Sequence, residues 1–462
     1  MSNSVRKRSA KIEAMAECWP MIKALLGGTA AMRAAGNAYL PQWPNEDSAF
    51  YNARLNTATL FPAFARTIDV LCAKPFSRPI IYGEDTPKTI LEYCEDIDLQ
   101  GRNMHSFAAS IMEEAMAYGI CGLLVDYPQV TDVKTRADEK RAGVRPYFVQ
   151  IPAESLLDYD SKRINGVETF TQLRFLENIT EKNPADKFDE KTVEQVRVLY
   201  PGKWETYREK QNAAGDLEWL LFEEGVTTLT KIPFVPVYGK RLGFMEAMAP
   251  LRELAFMNVE HWQSKSDQQT ILHVARVPIL FGTGFEDDDL TIGAACAVTS
   301  ESPDATLSYV EHSGKAIESG RVSILDIEDR MRQVGAELLV IKPGKTTVAQ
   351  TLADNEPGMC ALQRVTQDVE DSMDQAMQLM AEWIGEPEGG HLTIYNDFGA
   401  ASLAEASADL LLEMNVAGVL SNETLFGEIQ RRGMVKDGIA WAEEQKRIGE
   451  QPQKQGVTLP GV

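Results

Sequence analysis

LRELAFMNVEHWQSKSDQQTILH, residues 251–273, is the stretch on which the fold turns. Leu251, Leu254, Ala255, Val259 and Trp262 recur at helical spacing and predict a helix from about Phe244 to about His273. From Gln263 to Thr270 there is no apolar residue, so the helix turns polar on every side. Such a helix does not belong in the core of one domain; it bridges domains, faces water or packs among copies of itself. Pro278 and Gly282 end it. ILFGTGF (279–285) and LTIGAACAV (290–298) then read as short strands with turns. A second helix returns, with Val322, Leu325, Ile327, Met331, Val334 and Leu338 as its apolar positions. Two exposed helices carrying a small β tip make a projecting stalk, and no catalytic motif in the chain speaks as clearly.

Working outward, 462 residues hold roughly two to four domains. No window approaches about 18 uncharged apolar residues, so no transmembrane helix is expected. MSNSVRKRSAKIEAMAEC, residues 1–18, carries charge with no apolar core behind it, which reads against a signal peptide and for synthesis in the cytoplasm. Cys18, Cys72, Cys94, Cys121, Cys296 and Cys360 are scattered without a CxxC pair. That argues against a zinc site and a disulfide framework, and for buried small hydrophobes. The net charge of −22 is opposite in sign to the basic stripe of a conventional nucleic-acid binder. Tight sequence-specific DNA binding is thereby disfavoured. A surface past which DNA slides without sticking is not.

In chain order, residues 1–30 predict one amphipathic helix with Ile12, Met15, Trp19 and Ile22 on a face, preceded by the bases Arg6, Lys7, Arg8 and Lys11, a solvated helix start. Glu46-Asp47 open a helix carrying Phe50, Tyr51, Arg54 and Leu55, and a further helix runs from Pro62 to about Ala73. A helix with Phe107, Ile111, Met112 and Ala115 stops at a C-cap glycine, Gly119, and runs into the strand ICGLLVDY. Period-2 alternation makes 145–225 an antiparallel β region, and KIPFVPVYGKRLGF (231–244) leads from it to the stalk. Beyond the stalk come a polar loop, KPGKTTVAQTLADNEPG (342–358), and a long helix from about Met359 to Ile384. Its stripe of Leu362, Val365, Val369, Met373, Met377 and Met380 reads as packing. LTIYNDF is a short strand. Three helices follow at roughly 402–415, 421–432 and 437–449, with Ser421 and Asp437 as N-caps and stops at Gly418 and Gly433. Residues 451–462 lack an apolar pattern and read as disordered.

Candidate chemistry is sparse. GKTT (344–347) has the tail of a phosphate loop, but the glycine that lets backbone N–H groups wrap phosphates is Leu339 here. The acidic run Glu286-Asp287-Asp288-Asp289 lacks the alternate spacing and glycine of a calcium loop and reads as a solvated turn. His105, His261, His273, His312 and His391 form no ligand spacing. The sequons at Asn178 and Asn422 are chance matches in a cytoplasmic chain. No Ser, Cys or Thr sits in a nucleophile setting. The sequence makes no positive case for an enzyme, a metal or a cofactor.

The order of these fragments resembles the portal protein of tailed bacteriophages, the head–tail connector, over about 30–450. The likeness rests on NAYLPQWPNEDSAFYNARLNTATLF (37–61), AYGICGLLVDYP (117–128), KIPFVPV (231–237), the 251–273 helix leading to VARVPILFGTG (274–284), and LTIYNDFGAASL (392–403). The resemblance implies an α+β portal fold. It has a mixed α/β wing (1–241), stem helices at 242–273 and 313–338, and a small β-containing clip at 274–312. A tunnel loop and long wing helix span 339–395, and a helical crown spans 396–450. It further implies a structural, non-enzymatic ring, usually of twelve subunits, at one capsid vertex of the virion, conducting double-stranded DNA non-specifically during packaging and ejection. The clip meets the large subunit of the terminase, which hydrolyses the ATP, and later the head–tail adaptor; major capsid and scaffolding proteins are the other partners, and no membrane is involved. Lys342, Lys345, Thr346 and Thr347 fall on the tunnel loop facing the channel, and Glu286, Asp287, Asp288 and Asp289 on the clip. The clip window 276–311 holds seven acids against Arg276 alone, a charge that steers basic partner surfaces. An acidic wall releases few counterions from DNA and so exerts little friction on it. Two alternatives stand beside this reading: another head-assembly component of the same virion, and an ATP-using nucleic-acid enzyme resting on GKTT.

Overall fold

A computed structural model describes residues 3–128, 143–183, 186–211, 217–276, 279–284, 303–310, 314–337, 360–398, 411–431, 435 and 439–450. The chain divides into two compact bodies, Met1–Tyr395 and Asn396–Val462. Helix and strand are both abundant, so the fold class is α+β.

The first body opens with three short helices where one long one is expected: α1 (Ala10–Ala16), α2 (Trp19–Leu26) and α3 (Gly28–Ala35). Pro20, at the second position of α2, supplies no N–H to continue α1 and is at home in a first helical turn. The apolar face survives the break, and Ile12, Trp19, Ile22 and Leu25 are buried. Three of the four bases of the N-terminal cluster have partners, while Arg6 and Lys11 stay partly in solvent. Arg6 pairs with Glu194 at 3.0 Å, Arg8 donates to the Glu154 carbonyl at 2.7 Å, and Lys11 lies over the Tyr159 ring. These cations anchor α1 to the chain's own sheet.

Next come α4 (Ser48–Thr57), α5 (Ala63–Ala73), β1 (Ile81–Tyr82), α6 (Lys88–Cys94), α7 (Met104–Tyr118) and β2 (Ile120–Asp126). Asp47 caps α4 by accepting from the Ala49 and Phe50 amides, and Asn103 caps α7 by accepting from Ser106. The β region begins with β3 (Tyr147–Ile151). It continues through β4 (Leu156–Ile164), β5 (Val167–Asn183), β6 (Asp186–Tyr200), β7 (Lys203–Gln211) and β8 (Leu217–Val226) to β9 (Phe234–Tyr238).

Two sheets arise from it rather than one. β4 to β8 form an antiparallel meander in sequence order, whereas β3 and β9 flank β2, with Gly122 opposite both Ile151 and Pro236. KIPFVPV is therefore a strand and not a leader. Its prolines break the alternation, and Pro236 is tolerated because β9 is an edge strand whose outer side needs no ladder bond. One face of the meander, with Tyr159, Phe170, Leu173 and Phe175, shares a core with Ile12, Trp19 and Phe234. The other face buries Leu157, Val196, Val198 and Trp219 beneath Val5.

A small hairpin follows, β10 (Lys240–Gly243) and β11 (Glu246–Met248), turning through Met245 at φ 56°. It displaces the start of the next helix from Phe244 to Arg252: α8 is Arg252–Ala275. Then come β12 (Ile279–Thr283) and β13 (Thr306–Val310), paired antiparallel from Ile279↔Val310 to Thr283↔Thr306, and α9 (Lys315–Glu337), which packs along α8. The partner of the first tip strand is thus TLSYV (306–310); LTIGAACAV lies outside the described residues.

α10 (Ala361–Ile384) buries Leu362, Val365, Val369, Met373, Met377 and Met380 against α7, β2 and β9. The Cys360 thiol caps it with Gln363 as its reciprocal partner. β14 (Leu392–Thr393) pairs with β1, and Glu370 and Asp374 of α10 accept from the Ile394 and Leu392 amides, tying the far end of this body to its beginning.

In the second body residues 411–416 are helical, followed by α11 (Asn422–Arg431) and α12 (Trp441–Glu450). Ser421 accepts from Thr424 as the N-cap of α11, and Phe426 packs on Trp441 with ring centroids 5.3 Å apart. Residues 399–410, Gly433, Asp437 and 451–462 lie outside the described residues. No described helix is long and apolar enough to cross a membrane.

Gly119 ends α7 at φ 90°, and a Cβ there would stand 2.5 Å from the Ala249 amide nitrogen. Gly101 has a similar φ of 89° but open space around it. Gly101→Ala should cost only the backbone strain, about 1–2 kcal/mol. Gly119→Ala should cost about 1–3 kcal/mol more through overlap. Urea unfolding of the two variants checks this; equal losses would remove the close approach of 249 to the α7 terminus.

Candidate functional site

The polar run that singles out α8 faces its own chain. Across Gln263–Thr270 every side chain is buried or half-buried, enclosed by neighbours that include α4 and α9. The run is therefore not left wholly to water or to other copies, and the reason is chemical: several of the polar groups along α8 are keyed to specific partners in the same chain. Asn258 accepts from the Phe64 amide and donates to the Phe61 carbonyl, both at 2.9 Å. Gln263 donates to the Tyr39 carbonyl at 3.1 Å, and Gln268 to the Ile317 carbonyl of α9 at 2.8 Å. Gly320 makes room for that amide, since a Cβ there would fall 2.0 Å from Gln268 Oε1.

Arg54 completes the seam from α4. Its Nε and Nη2 reach the two Glu46 oxygens at 2.8 and 2.9 Å, Nη2 also donates to the Pro41 carbonyl, and Nη1 reaches Ser266 Oγ at 3.5 Å. The guanidinium lies 4.2 Å from the Trp43 ring centroid. Both charged side chains are 2% exposed. Hydrogen bonds from Arg54 hold the Glu46 carboxyl below its ordinary range, whereas burial pushes nearby Asp267 up. The sequence marks Glu46 only as part of an acidic helix start and Arg54 only as a residue carried on that helix; nothing in their spacing announces a buried ion pair.

Further along, His261 is fully buried, with Nε2 3.1 Å from Glu328 Oε1 on α9. On α9, Ile327 and Met331 are buried, but Val322 and Leu325 are 44% and 43% exposed, so the apolar stripe expected there is split between two faces. Leu338 lies outside the described residues. At the tip, Thr283 and Thr306 hydroxyls pair at 2.8 Å while Phe281 and Leu307 are exposed. The residues expected to meet partners, Glu286, Asp287, Asp288 and Asp289, and those expected to face DNA, Lys342, Lys345, Thr346 and Thr347, lie outside the described residues, as does all of GKTT.

A groove of about 1030 Å³ runs between the two sheets and the end of α10, with Tyr127 stacked on Trp383 at 5.2 Å. Four of its five cations are paired among the described residues, Lys88 being the exception. Arg145 pairs with Asp96, Arg197 with Asp126 and Glu177, Lys203 with Glu205 and Glu224, and Arg208 with Glu181. That neutralisation leaves little positive potential to draw phosphate. Among the described residues no group of three His, Cys, Asp or Glu side chains is placed to hold a metal ion.

Residues 250–384, from the start of α8 to the end of α10, match the model of a domain of unknown function, DUF4055. No curated protein matches the chain. Solved structures similar to it include the neck of a native GTA particle computed with C12 symmetry, at 12% identity, with 87% of this chain and 99% of that one covered and a TM-score of 0.41. The neck of an empty GTA particle computed with C6 symmetry gives 11%, 88%, 99% and 0.40. The virion of a native gene transfer agent particle gives 13%, 88%, 99% and 0.39. TM-scores at this level do not establish a common fold.

Removing one partner of a buried ion pair strands the other charge. Arg54→Ala should therefore destabilise the first body by about 3–5 kcal/mol, while a paired Arg54→Met/Glu46→Leu replacement should recover most of that loss. Urea unfolding near neutral pH measures both; a single-variant loss below about 1 kcal/mol would place the pair in water.

Proposed function

We propose that this chain is a phage portal protein, a subunit of a ring at the capsid vertex that conducts double-stranded DNA and docks the terminase and the head–tail adaptor. The observation that carries the reading is the excursion itself. An antiparallel helix pair, α8 and α9, leaves an α/β body and carries the β12–β13 hairpin between its two helices. In this reading α8 and α9 are the stem, the hairpin region is the clip, the 342–356 loop faces the channel, and the body from Asn396 is the crown. The role is structural, and ATP hydrolysis belongs to the terminase.

Two further features support it. A two-stranded sheet is marginal alone, and Phe281 and Leu307 on the hairpin, with Phe256, Val322 and Leu325 on the helix pair, are exposed apolar side chains for a neighbouring copy to cover. The net charge of −22 suits a wall that does not grip phosphate. Lys342 and Lys345 then make the transient phosphate contacts, and Glu286 to Asp289 meet basic partner surfaces.

Light scattering at moderate salt should give a mass several-fold above 51.3 kDa. Lys342→Glu/Lys345→Glu should keep that mass yet impair DNA packaging or genome retention. A stable monomer over a wide concentration range would end the ring reading, and normal packaging by the double variant would remove the loop from the mechanism.

A further inference from the structure

His261 is a titratable group buried in the seam between two helices, and its surroundings on balance favour the neutral ring. Its side chain is 0% exposed and its Nε2 lies 3.1 Å from Glu328 Oε1 across the seam. Glu328 is an acceptor, so Nε2 carries the hydrogen and, in the neutral ring, Nδ1 carries none. Nδ1 has no hydrogen-bond partner among the described residues, and the ring packs against Phe61 with centroids 5.3 Å apart. A bare nitrogen lone pair against an aromatic ring is a modest cost. A buried N–H with no acceptor is a larger one, and a buried charge adds to it.

We propose that the His261–Glu328 contact is a pH-sensitive latch on the α8–α9 seam: the neutral imidazole holds the two helices together, and its protonation loosens them. The charges acting on it can be named element by element. From α9 comes Glu328, which also meets Arg332 at 3.5 Å; from α8 comes Lys265; the segment entering α5 contributes the uncharged Phe61 ring. Burial holds the imidazole below its ordinary 6.5, the Glu328 hydrogen bond and charge oppose that, and Lys265 adds to the fall. The sign follows. A base whose pKa is depressed in the closed seam takes its proton more readily in the open one. The latch is therefore fully closed above about pH 6.5 and weakens as pH falls towards the depressed value.

Geometry gives the latch a consequence. His261 lies mid-way along α8, between the Asn258 anchor to α5 and the Gln268 contact that holds α9 by the Ile317 carbonyl. Loosening at 328 therefore frees α9 from α8, not α8 from the body. The inference concerns a seam inside one chain and stands whether or not copies assemble into a ring.

Hydrogen–deuterium exchange of the 315–337 amides, corrected for intrinsic exchange, tests it on the full-length protein between pH 7.5 and 5.5. Protection should fall by up to about tenfold per pH unit once the pH drops below about 6.5. In His261→Gln, whose amide donates to Glu328 but takes no proton, that dependence should vanish. Should that variant misfold, Glu328→Gln decides the matter: without the carboxylate the closed-seam imidazole is depressed further, so the onset should stay near pH 6.5 while the fall in protection continues to lower pH and is larger at pH 5.5. Flat exchange in the natural protein, an unchanged dependence in His261→Gln, or a fall at pH 5.5 in Glu328→Gln no larger than in the natural protein would each overturn the latch.

Discussion

A buried polar group must find a partner or forfeit its hydration, and along α8 that constraint sets the architecture of the first body. Asn258, His261, Gln263, Ser266 and Gln268 meet four segments between them: Asn258 the start of α5, Gln263 the carbonyl of Tyr39, Ser266 Arg54 of α4, and both His261 and Gln268 α9, through Glu328 and the Ile317 carbonyl. Apolar contacts would let a helix slide or rotate at little cost; directional bonds to fixed backbone atoms do not. The 24-residue helix is thereby held in one register against four neighbours, and α9 is positioned by it. Everything that projects beyond, including the β12–β13 hairpin, takes its place from that seam.

The sheets supply the fixed ground. β2 is buried along six of its seven residues and is flanked by strands from Tyr147 and from Phe234, over 100 residues later in the latter case. α10 lies on this sheet with its methionine stripe, and the β1–β14 pair closes the body between residues 81 and 393. Four of the five basic residues that line the groove beside this sheet are paired with carboxylates, and Arg6, Arg8 and Lys11 at the N-terminus contact Glu194, the Glu154 carbonyl and Tyr159.

Legibility in the sequence followed the range of the forces involved. Helices fixed by local signals were readable: α4 from its acidic cap, α7 from its apolar face and Gly119, α10 from its apolar stripe. Features fixed by distant partners were not. Pro20 broke the first helix without disturbing its apolar face. β9 was hidden by prolines that matter only once its edge position is known. The start of α8 moved because 240–248 folds back as a hairpin. The polar stretch 263–270 misled most, since composition cannot distinguish a polar face turned to water from one in which several groups have partners in the same chain. His261 and Glu328, 67 residues apart, carried no signal at all. The tip strand 279–283 was legible, but its partner at 306–310 was not, and the acidic turn and the lysine loop lie outside the described residues.

The central claim is that an internally keyed helix pair carries a hairpin whose apolar surface is completed by neighbouring copies around a channel. Single-particle electron microscopy of the purified protein tests it most directly. Closed rings of one size with an open centre are the result predicted, with the helix pairs lining the lumen and the hairpins gathered at one end. Discrete monomers, or open filaments without a closed symmetric class, would contradict it.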